Sequence, residues 1–189
     1  MEILILGNGF DLEHNLPTQY RDFLVFVKEY IQIALNENWE NEISRISDNG
    51  RKDFYRSIFI GEKKGVGKRL GEMLIDNIWI KHFFHTQTYI KENWIDFESE
   101  ISKIIILLEK AKADYDKKVL LATDVILPTK IIEAFCQEMM DENYILEDIS
   151  DAFFKNIKSK LVKDLNRMIT ALEIYLAEYV GEMIIDSYN

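Results

Sequence analysis

A continuous apolar run, Ile3–Leu6, followed directly by Gly7-Asn8-Gly9, constrains the fold of this chain more than any other feature. Four apolar residues without alternation are typical of a short strand buried on both faces, and such strands usually have parallel neighbours. The glycines predict a tight turn, because Gly7 tolerates conformations that other residues avoid and Gly9 lets backbone amides approach an anion. The amino terminus therefore predicts the strand-turn unit of an α/β fold.

The remainder of the chain favours helices. Glycine (8) and proline (2) are scarce, so few turns are marked, and apolar residues recur at helical spacing. We expect helices over Tyr20 to about Asn36, Leu70 to about Tyr89 and Ser150 to about Ile184, among about five or six in all, with Thr18 as a helix N-cap. The segments "SIFI", "KVLLA" and "EMIID" are the other strand candidates. The expected fold class is α/β but predominantly helical, with a short N-terminal parallel strand.

Length, net charge, apolar runs and cysteine count limit the classes of protein to which this chain can belong. The 189 residues are enough for one domain with a substantial core. The net charge of -10 argues against non-specific binding to nucleic acid, which needs a basic surface. No run approaches the roughly 18 apolar residues of a membrane span, and the single cysteine, Cys136, excludes an intramolecular disulfide. We therefore expect a cytoplasmic protein without membrane partners.

The glycine turn is the main candidate binding loop. The third glycine of the dinucleotide pattern would fall at Leu12, so that fingerprint is incomplete. Asp11 has two open interpretations: it accepts hydrogen bonds from ribose hydroxyls, or it shapes the loop as an Asx-turn or helix cap. A second glycine-rich stretch, Gly61–Gly71, carries four basic residues but lacks P-loop spacing, and it favours a mobile solvated loop.

The longer string around this loop carries a family resemblance. It closely resembles the opening signature of the AbiH family in the residues Gly7-Asn8-Gly9-Phe10-Asp11-Leu12, Leu16-Pro17-Thr18, Tyr20 and Phe23. A downstream segment is similar to the family's tryptophan-acid segment at Trp94, Asp96 and Glu98. AbiH proteins are bacterial and associated with abortive infection, in which an infected cell arrests or dies before the phage multiplies. The resemblance thus implies a phage-defence protein.

The same opening is more distantly similar to the loop of sirtuin-like NAD-binding domains. That likeness implies a Rossmann-like core and a ligand that is NAD or another nucleotide, with Mg²⁺ unassigned. The candidate ligand-binding residues are Gly7, Asn8, Gly9, Phe10, Asp11, Pro17, Thr18 and Tyr20. Longer AbiH proteins continue into segments resembling Phe-Asn-Tyr-Thr and His-Ile-His-Gly, which do not occur here. We therefore expect residues 1–189 to form a single AbiH-like domain, the amino-terminal part or a shortened version of the family domain, with catalysis doubtful and no catalytic residue assigned.

The remaining polar residues leave alternatives open. Asp96 and Glu98 form a possible acidic site, or they place negative charge at a helix amino terminus. His82 and His85 lie three apart on one helical face, but without further ligands they do not predict a metal site. His14 lies next to the glycine loop and favours a solvated position.

Three functions remain in order of preference. The first is an abortive-infection protein with a nucleotide loop, acting with a phage-derived trigger. The second is a non-enzymatic sensor or oligomerising module whose apolar helices pack on another copy. The third is a metal-dependent phosphodiesterase that uses Asp11, Asp96 and Glu98. The first two predict different features: an open cleft beside the loop, or a large exposed apolar patch.

Overall fold

The computed structural model describes residues 17–86, 97–116, 135 and 151–182, and every regular element in these ranges is a helix. The α-helices are α1 Tyr20–Ala34, α2 Trp39–Arg45, α3 Asn49–Phe59, α4 Lys64–Leu74, α5 Ile78–Thr86, α6 Phe97–Asp116 and α7 Asp151–Ile174. A π-helical segment, Tyr175–Val180, continues directly from α7. The part of the chain so described is thus seven α-helices and one π-helical segment.

The expectation of an α/β fold with a parallel strand is therefore wrong: the described residues contain neither strand nor sheet. The "SIFI" segment shows the physical reason, because Ser57 and Phe59 end α3, which buries Phe54, Tyr55 and Ile58 at helical spacing. Helical periodicity over the longer segment outweighs the β-propensity of four residues. The run Ile3–Leu6 itself lies outside the described residues, and the Rossmann-like and sirtuin-like comparison finds no support in these helices.

Two local predictions are also corrected. The glycine-rich basic stretch is not a solvated loop: most of it forms α4, which buries Gly67 and Leu70. At Gly67 a Cβ would lie 2.1 Å from the Ile58 carbonyl oxygen, so only glycine permits this close approach of α4 to α3. The N-cap of α1 is Gln19 rather than Thr18, with a capping box in which Asp22 Oδ2 accepts from the Gln19 amide at 3.2 Å.

The chain divides into two compact units, with one boundary between α4 and α5 and the other within α7. The first unit comprises Met1–Asn77 and Asn166–Asn189, and the second comprises Ile78–Leu165. Both are stabilised by buried apolar side chains, which give the main driving force for folding. None of the described helices combines the length and apolar character that crossing a membrane would require.

The first unit has an aromatic core. Helix α1 contributes Phe26, whose ring centroid lies 4.9 Å from that of Tyr175 and 5.1 Å from that of Tyr179. Tyr55 from α3 stacks on the same phenylalanine at 6.0 Å. Rings at these separations add to the stabilisation that their burial provides. The result is a cluster formed by α1, α3 and the π-helical segment.

The second unit is stabilised by buried polar side chains that bond to backbone groups, as well as by apolar contacts. Asp164, 1% exposed, accepts a hydrogen bond from the Ile78 amide at 3.0 Å and thereby caps the amino terminus of α5. Trp79 donates its indole N–H to the Leu161 carbonyl at 2.9 Å. Both bonds join α5 to α7 within this unit.

Candidate functional site

A cavity of about 470 Å³ opens in the first unit beside the start of α1. Its walls are formed by Pro17, Gln19, Arg21, Asp22, Val25, Phe26, Glu29, Arg51, Tyr175 and Tyr179. The volume lies within the range of small-molecule sites. These walls bring together residues that are far apart in the sequence, from α1, α3 and the π-helical segment.

Pro17 is attached to the π-helical segment by a hydrogen bond. The Tyr175 hydroxyl donates to the Pro17 carbonyl at an oxygen-oxygen distance of 2.5 Å. Tyr175 is almost fully buried, and burial raises the pKa of its hydroxyl above the ordinary value, so the group stays a donor at neutral pH. Pro17 is therefore fixed at one edge of the cavity.

An arginine-carboxylate pair forms another wall. Arg51 Nη2 lies 2.5 Å from both carboxylate oxygens of Glu29, and the two side chains are 33% and 24% exposed. Burial acts to lower the pKa of Arg51, but the hydrogen bond and negative charge of Glu29 outweigh it and raise that pKa. Arg51 therefore stays charged at neutral pH and pairs with the Glu29 carboxylate.

Beneath this pair lies Tyr55, which is fully buried. Its hydroxyl makes no hydrogen bond of ordinary geometry to the described residues. Burial, and next the negative charge of Glu29, raise its pKa well above the ordinary value. The hydroxyl is therefore neutral at neutral pH.

Tyr179 is a further polar residue in the wall of the cavity. The residue is 7% exposed and stacks on Tyr175 at 5.3 Å with an interplanar angle of 20°. Burial raises the pKa of Tyr179 to about 12. Both tyrosines belong to the π-helical segment, and single-turn π-helices occur frequently at functional sites.

The structure describes only part of the predicted ligand-binding set. Pro17 lines the cavity, whereas Thr18 precedes α1 and Tyr20 is 40% exposed, and neither belongs to the lining. Residues Gly7, Asn8, Gly9, Phe10 and Asp11 lie outside the described residues, as do His14 and Cys136. Nucleotide binding by this set therefore stays a prediction.

The predicted acidic site is likewise only partly described. Glu98 is exposed in the first turn of α6, where negative charge is favourable, and Asp96 lies outside the described residues. The acidic residue that contacts a histidine is Glu100, whose Oε2 lies 3.7 Å from Nε2 of His82. His85, by contrast, is exposed. Among the described residues, no three histidine, cysteine or acidic side chains are grouped to hold a metal ion.

The cavity residues Arg51, Glu29 and Tyr179 were not predicted from the sequence. Arg51 lies in a segment without a recognisable motif, and the charge pair with Glu29 forms only when α1 and α3 pack together. The spacing of Tyr175 and Tyr179 was the one available signal, since residues four apart share a helix face.

Comparison with known proteins gives one match. The family model described as bacteriophage abortive infection AbiH matches residues 3–188 of the chain. No curated protein and no solved structure matches it. The match covers both stretches that carried the resemblance in the sequence, including the glycine loop and the tryptophan-acid segment.

Proposed function

The chain belongs to the bacteriophage abortive infection AbiH family, and we propose that it acts in phage defence by binding a nucleotide at its amino-terminal glycine loop. The proposed ligand is NAD or another nucleotide. A phage-derived trigger would then change whether the protein has the nucleotide bound. The proposal assigns binding and leaves the chemistry that follows binding open.

One observation supports the nucleotide part of this proposal: in the sequence, the glycine loop shortly precedes a residue of the cavity wall. Asp11 and Pro17 are six positions apart, and Pro17 lies at the edge of the cavity of about 470 Å³. The glycines at positions 7 and 9 suit a loop whose backbone amides contact phosphate. A glycine loop close in sequence to a cavity of this volume supports a nucleotide as the proposed ligand.

The first test is thermal melting of the purified protein with NAD, ADP-ribose, ATP and GTP, each with and without Mg²⁺. A ligand that binds the folded state at 100 times its dissociation constant adds about 2.7 kcal/mol of stability. We expect at least one nucleotide to raise the melting temperature. A Val side chain at Gly9 would obstruct the approach of phosphate, so Gly9→Val should abolish the shift.

Gly65→Val is the matched control, because a Cβ at Gly65 meets no atom within 4 Å. This variant should retain the nucleotide-induced shift. Asp11→Ala separates the two interpretations of the carboxylate: a contact to ribose predicts loss of the shift, and a turn-shaping role predicts a lower melting temperature with the shift retained. The proposal fails if no nucleotide at millimolar concentration shifts the wild-type protein.

A second candidate function, a module that binds another copy of the chain, rests on α6. This helix buries Ile104 and Leu108, yet its other face exposes Ile106 by 59% and Ile105 by 39%. Two adjacent isoleucines exposed on one helix offer apolar surface to a protein-protein contact. Sedimentation velocity over a range of concentrations, with Ile106→Lys as the variant, distinguishes a self-associating protein from a monomer.

A further inference from the structure

Helix α7 and the start of the π-helical segment carry a row of exposed apolar side chains that the core does not use. The side that packs into the core consists of residues no more than 5% exposed, namely Leu161, Asp164, Met168, Ala171 and Tyr175. The residue that follows each of them is apolar: Val162, Leu165, Ile169, Leu172 and Leu176. Val162, Ile169 and Leu176 are 53%, 45% and 39% exposed, and the two leucines between them are half-buried. These five residues, the α7 stripe, therefore lie beside the core-facing side of the helix.

The spacing of the α7 stripe is that of a helix-pairing surface. Its members follow one another at intervals of four and three residues in alternation, from Val162 to Leu176. Apolar residues at this spacing form the seam along which one helix packs lengthwise against another. Since the core uses the neighbouring row, the stripe remains available to a helix from outside the core.

The exposed isoleucines of α6 do not form such a row. Ile105 and Ile106 are neighbours in the sequence, so they point about 100° apart around the helix axis. The positions three and four residues from Ile106 are all polar: Ser102, Lys103, Glu109 and Lys110. The α7 stripe is therefore the longer apolar surface for a second helix.

Positive charge marks the amino-terminal end of the α7 stripe. Lys158 lies four positions before Val162 and continues the spacing of the row. Its side chain is exposed and forms no ion pair with a residue that the structure describes. Lys155, also exposed, adds a second positive charge, whereas the carboxylate of Asp151 in the first turn is bound by Lys112 at 2.8 Å.

Negative charge lies toward the opposite end. Glu173 directly follows Leu172, is exposed and makes no ion pair within the described part of the chain. Arg69 of α4 lines the same small cavity of about 240 Å³ without pairing with this carboxylate. Arg167, the nearest cation on α7, donates instead to backbone carbonyls at the end of α4. The stripe is therefore basic at one end and acidic toward the other.

This distribution of charge favours a second copy of the same stripe in reversed direction. In a parallel pair, Lys158 of one copy would face Lys158 of the other, because equivalent seam positions meet in that arrangement. Like charges placed against each other weaken an association. In an antiparallel pair, Lys158 of each copy instead lies close to Glu173 of the other, and the complementary charges meet twice.

We propose that α7 binds α7 of a second copy of this chain, antiparallel along the α7 stripe. The contact is two-fold symmetric, so that Val162 packs on Leu172 and Leu165 on Ile169 of the other copy. This inference rests on the second candidate function, the binding of another copy, and assigns that contact to α7. It does not depend on nucleotide binding.

Sedimentation velocity of the full chain, from micromolar to about millimolar concentration, tests the surface. We expect the wild type to dimerise and Ile169→Lys to raise the dissociation constant about a hundredfold, because it places two charges in the central apolar layers. Ile106→Lys is the matched control: it is the same substitution at an exposed isoleucine, and it should dimerise like the wild type. Both residues are exposed, so melting temperatures close to that of the wild type should show that both variants are folded.

Exchange of the end charges tests the antiparallel direction. Lys158→Glu and Glu173→Lys should each raise the dissociation constant about tenfold, because each creates two like-charge contacts. The double variant restores opposite charges and should return to within about twofold of the wild type. In a parallel pair, by contrast, Lys158→Glu only replaces one like-charge contact by another, and the double variant recovers nothing.

The contrary results are distinguishable. A wild type that remains monomeric at every concentration overturns both this inference and the second candidate function. If Ile106→Lys prevents dimerisation and Ile169→Lys does not, the contact lies on α6, so this inference fails and self-association stands. If Ile169→Lys prevents dimerisation but the double charge variant does not recover, the antiparallel arrangement is wrong.

Discussion

Two groups of polar side chains, one in each unit of this protein, differ in whether they are bonded to backbone groups. In the second unit, Asp164 and Trp79 are buried and bonded to backbone groups, and both bonds join α5 to α7. In the first unit, Tyr179 and Arg51 keep donors that no described residue accepts, and they line a cavity.

This difference separates stabilising from binding roles. A buried polar group that is bonded in the folded chain contributes to stability, and its loss leaves the partner unsatisfied. A polar group that faces a cavity contributes little to folding and remains available to a ligand. The comparison therefore predicts that substitutions of bonded polar groups in either unit lower the unfolding free energy, whereas removal of the Tyr179 hydroxyl leaves it nearly unchanged.

The largest expected effect is that of Asp164→Ala. The substitution removes the cap of α5, leaves the Ile78 amide unsatisfied in a buried position and separates Lys160 from its partner carboxylate at 3.2 Å. We expect a loss of about 3 kcal/mol in unfolding free energy, measured by urea denaturation. Asp164→Asn keeps an acceptor of the same shape and should lose about 1 kcal/mol. Equal stability of Asp164→Ala and the wild type would contradict an anchoring role.

Alkaline pH should destabilise the first unit through its buried tyrosines. Burial raises the pKa of Tyr30 from 10.0 to about 12, with a partly opposing backbone hydrogen bond from Gly71. Because this pKa is higher in the folded than in the unfolded protein, its contribution to stability is complete below pH 10.0 and is lost as the pH rises toward about 12. The contribution of a shift of this size is about 2 kcal/mol.

The measurement is the melting temperature as a function of pH for the wild type and Tyr30→Phe. The variant loses the hydrogen bond of 2.7 Å from the Tyr30 hydroxyl to the Gly67 carbonyl, so it starts less stable. Its melting temperature should fall less steeply above pH 10.0, the ordinary value for tyrosine. Tyr115→Phe in the second unit should keep the wild-type slope. Parallel curves for wild type and Tyr30→Phe would exclude this tyrosine as a source of alkaline instability.

A smaller loss is expected for Tyr175→Phe, which removes the hydrogen bond to the Pro17 carbonyl. Tyr175 is 1% exposed, and the phenylalanine ring retains its packing on Phe26 and Phe23. We therefore expect a loss of about 1 kcal/mol in unfolding free energy. Proteolysis at the segment around Pro17 should also become faster, because that hydrogen bond ties the segment to the π-helical residues. An unchanged cleavage rate would show that other contacts hold Pro17.

The comparison also explains what the sequence could predict. The apolar faces of α1 and α7 were predictable, because Phe23, Val27 and Leu161 follow helical spacing. The AbiH resemblance was predictable as well, since a distinctive string needs no tertiary information, and it is confirmed by the family match. The helix predicted to run from Leu70 to about Tyr89, by contrast, is divided between α4, which ends at Leu74, and α5, which begins at Ile78.

Predictions that needed tertiary information failed. The parallel strand was inferred from four apolar residues without evidence for the neighbours that a sheet requires, and the described chain is helical. The glycine-rich stretch was assigned to a loop because its low helix propensity was visible, whereas the packing of Gly67 against Ile58 was not. The Arg51–Glu29 pair and the unbonded Tyr179 hydroxyl exist only through the packing of three separate segments.

The smallest expected change in stability sharpens the comparison most. Tyr179→Phe removes a hydroxyl that bonds to no residue in the described part of the chain, and the ring retains its stacking on Tyr175. We expect its unfolding free energy to stay within about 0.5 kcal/mol of the wild type, although Tyr179 is buried almost as completely as Tyr175. Urea denaturation of the two Phe variants side by side measures this difference.

If both variants lose the same free energy, the Tyr179 hydroxyl stabilises the fold, and the distinction between bonded polar groups and polar groups that face the cavity does not hold. If only Tyr175→Phe is destabilised, the Tyr179 hydroxyl has no folding role, and the ring alone accounts for the contribution of this residue to the core.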